Sequence, residues 1–160
     1  MKHMDRAETL IAGLLRRTRT IVVVGASARP GRHSREVASY LHKAGYDVIP
    51  VRPDRTPVAG LPTYARLNDI AGPVDLVVIF RRPDAVPGHI HEAATKRAFA
   101  VWLPPGTWSR AAADTAHECR LELVWDRCII EEHNHLVGAL GEPGAGHPHK
   151  QSVHHVGRSK

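Results

Sequence analysis

The run Ile21-Val22-Val23-Val24-Gly25-Ala26-Ser27 restricts what this chain can fold into more than any other segment. Successive β-branched apolar residues suit a strand buried on both faces, which requires a sheet covered by helices on each side. Gly25 then breaks the run into a turn of small residues, and past Pro30 and Gly31 the pattern becomes helical. Strand, glycine turn and helix together make a phosphate-binding layout. The glycine leaves room for a ligand, and the helix N-terminus offers unpaired N–H groups and a favourable dipole. Arg29, Arg32 and Arg35 follow this first strand, Arg52 and Arg55 the second, and Arg81 and Arg82 the next long one. Cations therefore gather at strand C-terminal ends, and the pattern predicts a pocket for a polyphosphorylated nucleotide.

Five short apolar runs, at residues 20–25, 46–51, 74–80, 99–103 and 121–125, alternate with amphipathic helical stretches. This is the pattern of an α/β fold, a Rossmann-like doubly wound parallel sheet in a single domain. Helices are predicted at residues 6–17, from a cap at Ser34 to a stop at Gly45, at 84–97 with Pro87 in the first turn, and at 110–119 behind Ser109 or Thr107. Residues 53–69 hold a Pro-rich loop, a short edge strand at 61–64 and a turn of helix. With right-handed crossovers, strand order reverses between the first strand and the 74–80 strand, so the loops at 25–34 and 80–83 face each other across the crevice.

The chain of 160 residues carries a formal charge of +6, yet residues 1–20 contribute +3 and residues 141–160 contribute +2, leaving +1 for the body. A nucleic-acid site needs a basic face on the folded body, with aromatics for stacking, and neither is visible. The apolar runs are too short to cross a bilayer, and residues 1–20 scatter charge where a signal peptide would be apolar. Cys119 and Cys128 have neither metal-ligand spacing nor the look of a disulfide framework. A cytoplasmic protein without membrane or nucleic-acid partners is predicted. The Gly, Pro, His, Lys and Ser composition of residues 141–160 predicts a disordered tail after a domain spanning 1–140.

A full Gly-x-Gly-x-x-Gly fingerprint is absent, since Gly25 and Gly31 alone punctuate the loop. The residue after the second strand is Arg52, where an NAD site wants Asp or Glu on the ribose diol. A guanidinium there suits an additional ribose phosphate, as in NADP or coenzyme A. Val23-Val24-Gly25-Ala26-Ser27, Pro50-Val51-Arg52-Pro53, Phe80-Arg81-Arg82-Pro83, Ala100-Val101-Trp102 and Trp125-Asp126-Arg127-Cys128 occur in that order. Together they resemble the small stand-alone CoA-binding domain proteins, Rossmann-type relatives of the N-terminal domain of the succinyl-CoA synthetase α-subunit. The resemblance covers about residues 7–135. It implies that Gly25, Ala26 and Ser27, with Arg29, His33 and Ser34 at the helix start, cradle phosphates, and that Arg52 and Pro53 sit by the adenosine ribose. Phe80, Arg81, Arg82 and Pro83 would line the far wall, with Leu103 and Gly106 at the next strand end. The chain departs from that family's pattern at His33, Arg52 and Pro104.

Plainer roles compete for several of these residues. Arg82 can bridge to Asp84 at the surface, Asp126 and Arg127 can pair to lock the C-terminal segment, and Cys119 on an Ala-rich helix face reads as core. Cys128 reads as a small buried hydrophobe, or as a thiol at the crevice whose thiolate Arg127 would favour. His133 and His135, with Glu131 and Glu132, read as a polar C-terminal extension, no metal site being predicted. No nucleophile elbow or His-carboxylate pair is legible. The expectation is a non-catalytic module that binds coenzyme A or acyl-CoA, its protein partner unspecified. An NADP(H)-binding oxidoreductase or redox sensor and a pure interaction protein are the alternatives.

Overall fold

Alternation along the strands decides how the layers form, because successive side chains of a strand point to opposite faces. In the computed structural model, which describes residues 5–140, Ile21 and Val23 of β1 (Thr20–Val24) face one helical layer, and Val22 and Val24 the other. The first layer holds α1 (Arg6–Arg17), α2 (His33–Lys43) and α5 (Ile129–Leu140). The second holds α3 (Val86–Thr95) and α4 (Arg110–Glu118). Between them lie β1, β2 (Asp47–Val51), β3 (Leu76–Ile79), β4 (Ala100–Leu103) and β5 (Glu122–Trp125). All pair in parallel in the order β2-β1-β3-β4-β5, so the reversal falls between β1 and β3, as expected.

Local chemistry sets two of the helix starts. Asp5 and Glu8 form a reciprocal capping box on α1, and Ser109 Oγ accepts the Ala112 N–H to start α4. The helix expected over 84–97 is split: Pro83–Ala85 forms a 3-10 turn and α3 begins at Val86, with Pro87 in its first turn. The expected edge strand at 61–64 reduces to two isolated bridges, Val51 with Tyr64 and Val58 with Leu61. Ser34 does not cap α2. Arg32 occupies the cap position without a side-chain hydrogen bond, and Ser34 is buried inside the first turn.

The C-terminal extension is in fact helix α5. Ile129, Ile130 and Leu136 are buried against the sheet, and Trp102 Nε1 donates to the Arg127 carbonyl at 2.8 Å to anchor its approach. His133 is wedged between Tyr40, whose hydroxyl lies 2.9 Å from its Nδ1, and the Tyr46 ring. The spacing 129, 130, 133, 136 and 137 is helical. The two histidines and two glutamates within it obscured that period. Residues 1–4 and the tail at 141–160 lie outside the described residues.

Candidate CoA-binding site

The strand β1 ends where its backbone must pass under Phe80. Gly25 adopts φ +78°, and a Cβ there would overlap the Phe80 carbonyl oxygen and lie 3.0 Å from its carbonyl carbon. The close approach of two chain segments and a left-handed backbone demand a glycine here within the chain itself. The same approach extends the ladder: the Phe80 N–H donates to the Val24 carbonyl at 2.8 Å, and the Gly25 N–H to Val51 at 3.0 Å. Phe80 is thereby held to the end of β1, and Gly25 to the end of β2, at the switch point.

The turn is braced from within. Ser34 Oγ accepts the Ser27 N–H at 2.9 Å, and Ser27 Oγ accepts the Arg29 N–H at 3.1 Å. Ala26 is buried in the core, so only its backbone reaches the loop. Arg52 was expected to be a free cation beside a ribose phosphate, but its guanidinium is engaged. Nε and Nη2 meet the Asp54 carboxylate at 2.6 and 2.9 Å, while Nη1 donates to the Ala26 carbonyl at 3.3 Å. These bonds, with the Thr56 N–H adding another, hold the Asp54 carboxyl well below the usual carboxylate range. Arg52 therefore ties the end of β2 to the Gly25–Ser27 turn as half of a neutral pair. The sequence signal for it was Asp54 two residues on.

Around this turn the charge is unbalanced. Among the described residues no carboxylate forms an ion pair with Arg29, Arg32, Arg35, Arg55 or Arg81. Arg82 meets Asp84 only at 3.8 Å, with both side chains more than three-quarters exposed, a contact worth little. Arg35 Nε is buried without a hydrogen-bond partner, and no side chain caps the start of α2. An anion carrying several oxygens would meet the exposed Arg29, Arg32 and Arg81 and the open N–H groups of α2, so the residues present fit a phosphorylated ligand.

Other expected residues lie variously at this edge. Phe80 is half-buried and meets the exposed His33 ring edge-on at 5.8 Å between centroids. Pro53 is exposed, Pro83 opens the 3-10 turn, and Gly106 is exposed after β4 with φ +88°. Leu103 offers no side chain to the crevice, since it is fully buried towards α3 and α4.

Cys128 lies at the head of α5, its Sγ 3.7 Å from His33 Nε2. Burial pushes the thiol up from its ordinary value, against the N–H groups of Glu131 and Ile130, which favour the thiolate. The anticipated activation by Arg127 is absent: Arg127 pairs with Glu132 at 3.5 Å, not with Asp126, which sits at φ +58° in the turn. Cys119 packs against the second core layer from its margin. It is half-buried at the end of α4 with Sγ 3.6 Å from His91 Nδ1. Among the described residues no group of three or more His, Cys, Asp or Glu is placed to hold a metal, and no helix is long and apolar enough to cross a membrane.

The family model described as a CoA binding domain matches residues 19–134. This chain belongs to the CoA-binding domain family. The match begins just before β1 and ends within α5, so it takes in the Gly25–Ser27 turn, Phe80 and the start of the helix that follows Cys128. The protein YneT of Bacillus subtilis (strain 168) is 34% identical over 133 residues, covering 83% of this chain and 97% of YneT. A hypothetical protein from Pyrococcus horikoshii OT3, of known structure, is 33% identical with a TM-score of 0.78, covering 86% of this chain and 99% of that one. A dinucleotide-forming acetyl-coenzyme A synthetase from Ca. Korarchaeum cryptofilum shares the fold, with 23% identity and a TM-score of 0.57 over 70% of this chain and 27% of its own. The CoA-binding domain here thus stands nearly co-extensive with two small relatives and corresponds to about a quarter of the synthetase.

Proposed function

We propose that this member of the CoA-binding domain family binds coenzyme A or acyl-CoA at the C-terminal edge of β1 and β3 and acts as a binding module, without catalysis of its own. The observation that carries the reading is the set of arginines without carboxylate partners, Arg29, Arg32 and Arg81, around the uncapped N-terminus of α2. Cations and unpaired amides held by a braced turn gain most from an anion with several charges, and the pyrophosphate of CoA is one. The nearest candidate for chemistry at this edge, Cys128, is kept a thiol by burial at neutral pH. That supports a site that holds its ligand rather than reacting with it.

Calorimetric titration with CoA, NADP, NAD and ATP tests the proposal, alongside incubation with acetyl-CoA followed by mass spectrometry. CoA is expected to bind in preference to the other three, with acetyl-CoA recovered intact. A clear preference for NADP, or consumption of the thioester, would overturn it.

A further inference from the structure

A second feature reaches the same edge of the sheet, three strands away from the phosphate turn. Between α1 and β5 runs a cavity of about 600 Å³ lined by Ala7, Leu10, Ile11, Val124, Trp125 and Arg127, among others. Its floor is the buried Ile11 and Val124, and Leu10 and Trp125 form its walls, 44% and 50% exposed. Trp108, from the loop after β4, leans on Trp125 with ring centroids 5.4 Å apart. Three of the five exposed large apolar side chains of the described residues are thus gathered here. A second cavity of about 500 Å³ lies further down α1, sharing Leu10 and reaching Arg17 and Glu122. The upper end of the α1–β5 slot opens beside Trp125, Asp126 and Arg127, at the C-terminal edge where the phosphate turn also lies.

We infer that this slot receives the acyl chain of a medium-chain acyl-CoA whose pyrophosphate sits on the Gly25–Ser27 turn, an assignment that rests on the function proposed above. Reach selects the occupant. From β1 through β3 and β4 to β5 is three strand spacings, about 14 Å at 4.8 Å each. The pantetheine arm of CoA, with two amide units and their flanking methylenes, extends about 15 Å. A thioester anchored at the turn therefore arrives at the mouth of the slot, and what continues from it is the acyl group. The volume falls in the range of small-molecule sites, and the stretch between Leu10, Ile11, Val124 and Trp125, with charged groups at its two ends, suits a short hydrocarbon.

The test is the ratio of affinities for octanoyl-CoA and CoA, measured by calorimetry on the wild type, Leu10→Glu and Trp125→Ala. Both positions are substantially exposed, so neither change empties the core. Octanoyl-CoA is expected to bind at least tenfold more tightly than CoA to the wild type, with the ratio falling below threefold in both variants. Equal affinities in the wild type would overturn the slot while leaving CoA binding intact. Failure to bind CoA at all would overturn the underlying reading instead. A dimer in sedimentation that Leu10→Glu dissociates would assign the slot to a second copy of this chain and also overturn the inference.

Discussion

The two ends of the sheet are built on opposite rules. At the N-terminal end the loops entering β1, β2 and β3 are tied down: Asp75 Oδ2 accepts the Arg19 and Thr20 N–H groups at 2.8 and 3.0 Å, the Tyr46 hydroxyl donates to the Leu15 carbonyl at 2.8 Å, and Thr18 Oγ1 to Leu14 at 2.7 Å. At the C-terminal end the turn is braced internally and Arg52 is paired with Asp54, but Arg29, Arg32 and Arg81 have no carboxylate partner among the described residues and no side chain caps α2. The same kinds of residue, arginines and short polar side chains, occur at both ends. What differs is satisfaction. A polar group bonded within the protein stabilises the fold, whereas one left open stores its bonding capacity for a ligand.

The sharpest break in this contrast is Gly25→Val. Because the Phe80 carbonyl occupies the space of a Cβ and the backbone is left-handed, the change is expected to cost about 3 kcal/mol or more of stability, a fall of about 10 °C in the melting midpoint. A variant that melted like the wild type yet lost CoA would restore to Gly25 the ligand-spacing role first read from the sequence. Asp75→Ala attacks the tied end. It leaves two N–H groups without their acceptor and is expected to cost about 2 kcal/mol of stability, with CoA affinity preserved. Arg29→Ala and Arg81→Ala attack the open end. At least one should lose about 1.5–3 kcal/mol of CoA binding, the range for hydrogen bonds to charged groups, with the melting midpoint unmoved.

Asp54→Asn sharpens the comparison by converting a closed pair into an open cation. Freed Arg52 should strengthen CoA several-fold more than dephospho-CoA, which lacks the ribose phosphate. Equal gains for both ligands would place Arg52 away from that phosphate. The smallest expected effect lies at the tied end in alkali. Burial pushes both Tyr40 and Tyr46 up to about 12, with neighbouring Tyr46 and Cys128 adding to the shift of Tyr40. A raised folded-state value means the contribution is whole below pH 10 and is lost as pH climbs from 10 to 12. Melting midpoints across that window should fall less steeply in Tyr46→Phe, which has no phenol to ionise; parallel curves would contradict the assignment.

Much of this was legible along the chain because it depends on short-range patterns. Continuous Val and Ile runs announce strands covered on both faces, and Ser109 announces its helix. The uncapped start of α2 was misread, since Ser34 has the right chemistry for a cap and only the position of Ser27 turns its hydroxyl inward. Helix α5 was missed because His133 looks polar until Tyr40 and Tyr46 enclose it.

The sequence by itself determined the alternation of elements, the strand order implied by right-handed crossovers, and the convergence of arginines on one edge, all of which follow from periodicity and chain connectivity. Tertiary structure alone decided which polar groups are spent. Arg52 is neutralised by Asp54, Gly25 is demanded by Phe80, Cys128 is shielded beside His33, and the α1–β5 slot lies open. Hydrogen bonds, desolvation and steric overlap act over a few ångströms, between atoms whose separation no sequence pattern specifies.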